Sequence, residues 1–422
     1  MVDSKQSRTA YYFIFITILI DMIGIGIIIP VIPDLISQIT GQSLSEAALM
    51  SGFLIMAYAV MQFLFAPVMG ELSDRFGRKP ILLLALLGLA IDYIIHALAP
   101  TILWLFIGRV LAGIFGASHT VATAYIADIS TPETKAKNFG MIGAAFGLGF
   151  IIGPGIGGII GGEWGPRAPF YVAAGFTLLN LILGLIFVPE SLSTDKRRPI
   201  ILKNMIPFNS LIHLGKYKSV IGLVLAYTLV NLAGQVMPST WTFFTMERYG
   251  WSTSAVGLSL AVVGLLVAIV QAGLTGVLVK KFGNKKVITL GFTCWTVGMF
   301  AFVLASNQYL LYFAIVPYVL GGIAGPTIQS IVSNSVDDKE QGNLQGVMTS
   351  MVSITAIVGP LIYTSLFAYY TGDAAPIYFP GSPYLLGGII LVIGSIIATY
   401  SIRNMADSRK SSIEELDQNF VE

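Results

Sequence analysis

One cysteine, Cys294, and three histidines are all that 422 residues offer to soft-metal or thiol chemistry. A lone thiol forms no internal disulfide and builds no cysteine-rich metal site. Charge is almost as scarce. Asp, Glu, Lys and Arg together make up 11% of the chain and nearly cancel, leaving a net charge of +2. That balance gives no electrostatic footprint for nucleic acid. Metal-ligand spacing, a nucleophile elbow and a phosphate-cradling loop are all missing, so neither enzyme chemistry nor a cofactor is expected.

What the chain has instead is apolar length. Hydrophobic residues make up 55% of it, and its mean hydropathy is +0.79. A water-soluble fold of this size has no way to hide so much apolar surface, which makes the bilayer the solvent. Hydrophobic runs broken by charges or Gly/Pro clusters predict twelve membrane-spanning helices near 11–37, 46–70, 80–98, 102–127, 137–161, 168–188, 220–248, 254–279, 286–305, 309–333, 342–370 and 382–402. The first run is too long for a signal-peptide core and lacks a small-residue cleavage site, so it reads as a retained span.

Charge sets the expected orientation. Of the 24 basic residues, Arg109 lies inside a span, Arg167 and Arg248 fall in one set of loops, and all the others fall in the opposite set. By the positive-inside rule both termini are cytoplasmic. The longest polar stretch divides the spans into two groups of six. The expected organisation is a half at 1–190, a cytoplasmic linker at 191–219, a second half at 220–404 and a charged tail at 405–422.

An internal repeat supports that division. GELSDRFGRKPILLL at 70–84 and GVLVKKFGNKKVITL at 276–290 align at an offset of 206, matching Gly70 with Gly276, Phe76 with Phe282, Gly77 with Gly283 and Lys79 with Lys285. Gly153-Pro154 and Gly359-Pro360 fall in the same register. Duplicated six-helix halves of this kind face each other across a midplane cavity and rock about it.

Three charges sit inside the apolar runs of the first half. IFITILIDMIGIGIIIPVIP, residues 14–33, carries Asp21; span three carries Asp92; span four carries Arg109. At about 1.5 Å per residue, Asp21 and Asp92 lie roughly 15 and 18 Å along their helices and Arg109 roughly 10–12 Å from its outer end. All three then fall near the midplane of a hydrocarbon core about 30 Å thick. The expectation is that Asp21 faces Arg109, with Asp92 nearby, in a polar interior. Desolvation favours a neutral acid there and a nearby arginine favours the anion, so a cavity that opens to alternate sides changes the balance and couples to protons. A static ion pair that fixes helix packing is the other reading. Arg109 stays charged and tunes rather than carries a proton. His96, one turn beyond Asp92, and His119 are packing residues or relays.

Span five reads GLGFIIGPGIGGIIGG, where Gly149, Gly153, Gly157 and Gly161 recur every four residues. This stripe lets another helix approach closely, and Pro154 bends its own helix. The second half differs chemically. At the 206 offset Asp21, Asp92 and Arg109 become Tyr227, Gly298 and Ile315. Its candidates for contact with a flat, polar, partly aromatic ligand are Asn231, Gln235, Trp241, Gln271, Trp295 and Gln329; Tyr58, Gln62 and His119 join them from the first half. The amides are equally suited to binding helices together.

The 70–80 stretch, Gly70-Glu-Leu-Ser-Asp74-Arg75-Phe-Gly77-Arg78-Lys79-Pro80, resembles the loop between spans two and three of the major facilitator superfamily. The resemblance implies that Asp74, Arg75 and Arg78, with Asp128 as partner at the end of span four, form a gating latch between helices. The second copy reads Lys280 where Asp74 stands, so the latch is one-sided. GPxxGG in span five, formed by Gly153, Pro154, Gly157 and Gly158 after Gly149, resembles the motif that marks proton-coupled antiporters of the superfamily. LIDMIGIGIIIPVIP, LLALLGLAIDY, GAAFGLGF, GQVMPSTWTFF and QGNLQG extend the likeness to the tetracycline/proton antiporter group over nearly the whole chain. The resemblance implies a bacterial inner-membrane monomer of the twelve-span, all-α fold that exports a small molecule, tetracycline as a divalent-metal chelate, in exchange for protons. Its alternatives are a drug or metabolite exporter of other specificity and a proton-coupled nutrient symporter. Two positions depart from the group, which has an acid in span nine and a histidine in span eight where this chain reads Trp295 and Val267.

Overall fold

The computed structural model describes residues 4–116, 118–207, 220–336 and 338–419. Every regular element among them is helical. Among the described residues eleven helices are long and apolar enough to cross a membrane. Spans one to seven are Tyr11–Ile28, Leu44–Phe76, Arg78–Leu98, Ile102–Ile129, Glu133–Trp164, Ala168–Phe187 and Ile221–Tyr249. Spans ten to twelve are Gln308–Ser333, Glu340–Thr371 and Ser382–Asn404.

Between these two groups lies one continuous stretch, Thr253–Leu304, of 52 residues. At 1.5 Å per residue it is about 78 Å long, more than twice the thickness of a hydrocarbon core. A π-helical turn at Val270–Leu274 and non-helical backbone at Gly283 (φ 77°, ψ 159°) interrupt it. It therefore holds spans eight and nine, and the crossings among the described residues number twelve.

Local chemistry sets the helix ends. Ser43 caps span two by accepting from the Glu46 N–H, while the Glu46 carboxylate accepts from the Ser43 N–H at 3.1 Å, a reciprocal capping box. Span two stops and span three starts on either side of a single residue, Gly77 (φ 105°, ψ 157°). That conformation is open only to glycine at low cost. The outward faces are apolar rather than polar: Ile186, Phe313 and Leu304 are 66, 75 and 77% exposed. This is the surface expected of a chain solvated by lipid.

The sequence repeat divides the chain into halves, and packing groups it differently. One compact unit takes in the first six spans together with Met237–Leu265 and Ala356–Pro380. Within it, Asp34 accepts a hydrogen bond from the Thr253 hydroxyl, Ser45 and Thr371 share one at 2.9 Å, and Thr242 donates to the Ile29 carbonyl at 3.3 Å. Its apolar centre includes Ile14, Ile18, Leu82, Val121 and Tyr125, all at most 2% exposed. The other unit holds the remaining described parts of spans seven, eight and eleven with spans nine, ten and twelve. Phe302 anchors that unit, with its ring 5.3 Å from both Tyr318 and Tyr384.

Candidate functional site

Buried charge gathers around spans three and four. Asp92 and His96, one turn apart on span three, are both fully buried. Arg109 reaches them from span four. Its Nη2 lies 3.3 Å from Asp92 Oδ2, and its Nε donates to His96 Nε2 at 2.9 Å. On the other side of the ring, His96 Nδ1 is 2.8 Å from Asp92 Oδ1 and 3.0 Å from the Asp92 carbonyl oxygen. Gly108 makes this approach possible, because a Cβ there would sit 2.5 Å from His96 Nδ1 and 2.8 Å from Asp92 Oδ1. Phe170 of span six stacks on the imidazole with centroids 5.3 Å apart.

Asp21 stands apart from this arrangement. It is 6% exposed, and its Oδ2 accepts from the Ser118 hydroxyl of span four at 2.9 Å. Its Oδ1 has no hydrogen-bond partner among the described residues. The expected pairing of Asp21 with Arg109 is thus corrected. Arg109 commits its Nε and Nη2 to span three, and a neutral serine covers Asp21 in its place. Tyr58 of span two stands beside Arg109. The guanidinium lies 5.9 Å from the centre of its ring, and its hydroxyl accepts from Gln62 Nε2 at 2.9 Å. His119, half-buried, meets the Phe146 ring edge-on at 4.8 Å.

A second cluster surrounds the turn at Gly77. Arg78 Nη1 is 2.5 Å from Asp74 Oδ1 and donates to Ser73 Oγ at 2.6 Å. Its Nε donates to Asp128 Oδ2 at 3.0 Å, so the arginine ties the start of span three to the end of span four. Arg75 is exposed and takes no part in this pairing. Glu190, which sequence reasoning did not single out, completes the cluster. Its carboxylate accepts the N–H groups of Arg78 at 2.9 Å, Lys79 at 3.3 Å and Leu192 at 3.0 Å, capping the open N-terminus of span three. A Cβ on Gly77 would lie 2.9 Å from the Glu190 carboxyl carbon. The one sequence signal for Glu190 is an acid placed directly after the last apolar residues of span six. The linker docks here too: the Arg198 N–H donates to the Asp74 carbonyl at 3.2 Å and the Ile201 N–H to Glu71 at 3.0 Å.

The glycine stripe of span five lies against span one. Side chains added at Gly149, Gly153 and Gly157 would come within 3.0 Å of Ile23 N, 2.7 Å of Ile23 O and 2.7 Å of Ile27 Cα. Gly158 serves a different neighbour, since its Cβ would meet Gly257 Cα at 2.7 Å and the Thr253 carbonyl at 2.8 Å. The Ser254 hydroxyl donates to the Gly158 carbonyl at 3.1 Å. Pro154 stands inside the same helix.

The second-half candidates divide. Trp241 is fully buried, donates its indole N–H to Ser259 at 2.9 Å and packs against Trp251. Its one polar atom is thus already bonded within the protein. Asn231 donates to the Tyr227 carbonyl of its own helix at 2.8 Å, and Gln235 occupies the break between two helical segments of span seven. Trp295 sits against Gly321, with its ring 5.9 Å from Tyr318. Gln271 is exposed in the π-helical turn. Gln329 is exposed and donates to Gln345 at 3.3 Å. Among the described residues no group of three or more His, Cys, Asp or Glu side chains is placed to hold a metal ion.

The family model of the Major Facilitator Superfamily matches residues 14–275 and 219–422. The chain belongs to this superfamily. Among its superfamily relatives, the class C tetracycline resistance protein of Escherichia coli is 40% identical over 86% of this chain and 91% of its own length. The class H tetracycline resistance protein of Pasteurella multocida is 35% identical over 94% and 97%. A solved bacterial homologue of the human lysosomal transporter Spinster shares the superfamily fold, with a TM-score of 0.78 at 16% identity over 95% of this chain and 98% of that one.

Proposed function

We propose that this chain is a proton-coupled efflux transporter that exports a tetracycline-like small molecule, carried as a chelate with a divalent metal ion, in exchange for protons. It lies in a bacterial inner membrane as a monomer with both termini in the cytoplasm, the side on which its basic loops cluster. Its relatives named for tetracycline resistance cover nearly the whole chain and support the substrate class.

The observation that carries the coupling is Asp21. A carboxylate in the middle of an apolar span, with one oxygen held by a serine hydroxyl and the other without a partner among the described residues, is costly to keep ionised in place. A group of that kind gains and loses a proton as access to it alternates. Asp92 has a cation beside it and is the more static acid. Arg78, Asp74, Asp128 and Glu190 form the latch that opens and closes with the transport cycle, and the Gly149–Gly158 seam lets spans five, one and eight move as closely packed rods.

Trp295 and Val267 favour a second reading, an exporter of wider drug specificity. An indole and a valine stand where the resemblance places an acid and a histidine, which leaves the second half with apolar and amide contacts for its ligand. One experiment separates the readings. Tetracycline with magnesium is added to inside-out vesicles holding a preformed pH gradient, and the gradient is followed. Collapse establishes drug/proton exchange. No collapse from folded protein rejects tetracycline, and other drugs are then run through the same vesicles.

A further inference from the structure

The ring of His96 lies between an acid and a base, and hydrogen-bond chemistry specifies its state. A guanidinium has only donors and stays charged. Arg109 Nε points at His96 Nε2 at 2.9 Å, so Nε2 presents its lone pair. The ring is then the neutral tautomer with its proton on Nδ1, which faces Asp92 Oδ1 at 2.8 Å and the Asp92 carbonyl at 3.0 Å. Among the described residues Asp92 and Arg109 are the charged groups paired with it, and Arg167 caps span three just beyond it, donating to the Ala97 and Ala99 carbonyls at 2.8 Å. Phe170 from span six covers one face with an uncharged ring, and Gly108 offers only backbone on the span-four side. Tyr58 of span two reaches the cluster through Arg109, whose guanidinium lies 5.9 Å from its ring centre, while Asp21 of span one is held by Ser118.

We propose that His96 is a positioning residue that acts as a proton-operated catch on Arg109. Neutral, it holds the guanidinium beside Asp92. When a proton adds at Nε2, the acceptor becomes a donor and two N–H groups and two positive charges meet head to head. The imidazolium takes over as the counter-charge of Asp92, and Arg109 is released toward Tyr58. One proton is added at Nε2, the Arg109–His96 hydrogen bond is lost, and no covalent bond breaks. The catch gives the first half a second titrating site beside Asp21, and it rests on the proposed proton coupling only for its effect on transport.

Two readouts test it. The first needs no substrate. The protein contains three histidines, so ring-nitrogen NMR of histidine-labelled protein in lipid, assigned by the signal lost in His96→Gln, reports the tautomer directly. The expected result is an unprotonated Nε2 with a protonated Nδ1 near neutral pH, converting to imidazolium on acidification together with a shift of the Arg109 Nε signal in arginine-labelled protein. A proton on Nε2 at neutral pH, or an Arg109 signal that ignores the titration, overturns the proposal.

The second readout is the pH profile of exchange. His96→Gln keeps a carbonyl for Arg109 and an N–H for Asp92 but does not titrate. The expected wild-type rate changes by about tenfold across the pH interval in which the His96 ring signal itself converts, and the Gln variant flattens that change while still binding substrate. A profile that superposes on wild type makes His96 a packing residue and overturns the catch. If the wild type shows no drug-driven exchange at all, the proposed substrate has failed, and the NMR result still decides the catch.

Discussion

Gly77 and Gly283 lie 206 positions apart and hold the same backbone conformation, φ 105° and ψ 157° against φ 77° and ψ 159°. Their surroundings differ. Gly77 is buried under Glu190 and Arg197, whereas Gly283 is exposed and a Cβ there would meet nothing within 4 Å. The duplicated turn is therefore clasped in one copy and open in the other. Alanine at Gly283 should cost only the backbone strain, about 1–3 kcal/mol. Alanine at Gly77 adds the displacement of the Glu190 carboxylate and should lower the thermal unfolding temperature in detergent further than Gly283→Ala does. Equal losses would count against the clasp.

Asp21→Asn should abolish drug-driven proton movement while leaving folded protein in the membrane. The amide oxygen still accepts from Ser118, so packing survives, but the residue no longer exchanges a proton. Ser118→Ala should weaken exchange without ending it, because Asp21 keeps its carboxyl. Gradient collapse in inside-out vesicles measures both. Unaltered exchange in Asp21→Asn would return Asp21 to a packing role.

The glycine seam predicts a graded series along one helix. Gly157→Ala forces a methyl against the backbone of Ile27, while Gly147→Ala, three turns away, meets nothing within 4 Å. Overpacking in a closed interface costs about 1–3 kcal/mol. The first substitution should reduce thermal stability and transport, and the second should leave both near wild type. Size-exclusion profiles after heating, with transport assays alongside, would show the order.

Arg78→Lys keeps the charge and loses the fork. An ammonium on a flexible stem does not hold Asp74, Ser73 and Asp128 in one geometry as the guanidinium does. Both acids are partly exposed and keep a cation nearby, so the cost is that of weakened charge-assisted hydrogen bonds, about 1.5–3 kcal/mol. Transport should fall by about tenfold or more, since 1.4 kcal/mol is already tenfold. Glu190→Gln should act in the same direction and more weakly, because its amide oxygen still caps one N–H of span three. Transport rates at matched protein levels check both, and a wild-type rate in Arg78→Lys would show that the cluster is not a gate.

Much of this was legible one residue at a time. Apolar length alone predicts a bilayer solvent and the number of crossings, because each hydrocarbon core needs about 20 residues of helix. The four-residue period of Gly149, Gly153 and Gly157 already implies a close helix contact, since absent side chains have no other packing use at that spacing. The Gly77/Gly283 register predicts a shared turn because only glycine adopts that backbone freely. The partner of Trp241 was not legible, because an indole looks the same in sequence whether its N–H meets a ligand or Ser259.

What the tertiary structure alone decided is which charge meets which. Depth along a helix places Asp21, Asp92 and Arg109 at similar heights, but rotation about each helix axis decides the pairing, and no one-dimensional pattern carries it. Arg109 turns to Asp92 and His96, Ser118 covers Asp21, and Glu190 arrives from the end of span six to cap span three. The sequence by itself determined that costly polar groups lie in the membrane and that each needs a partner. Packing three helices around Gly108 and Gly77 decided the partners, because a hydrogen bond is made only where two backbones come close enough for side chains to meet.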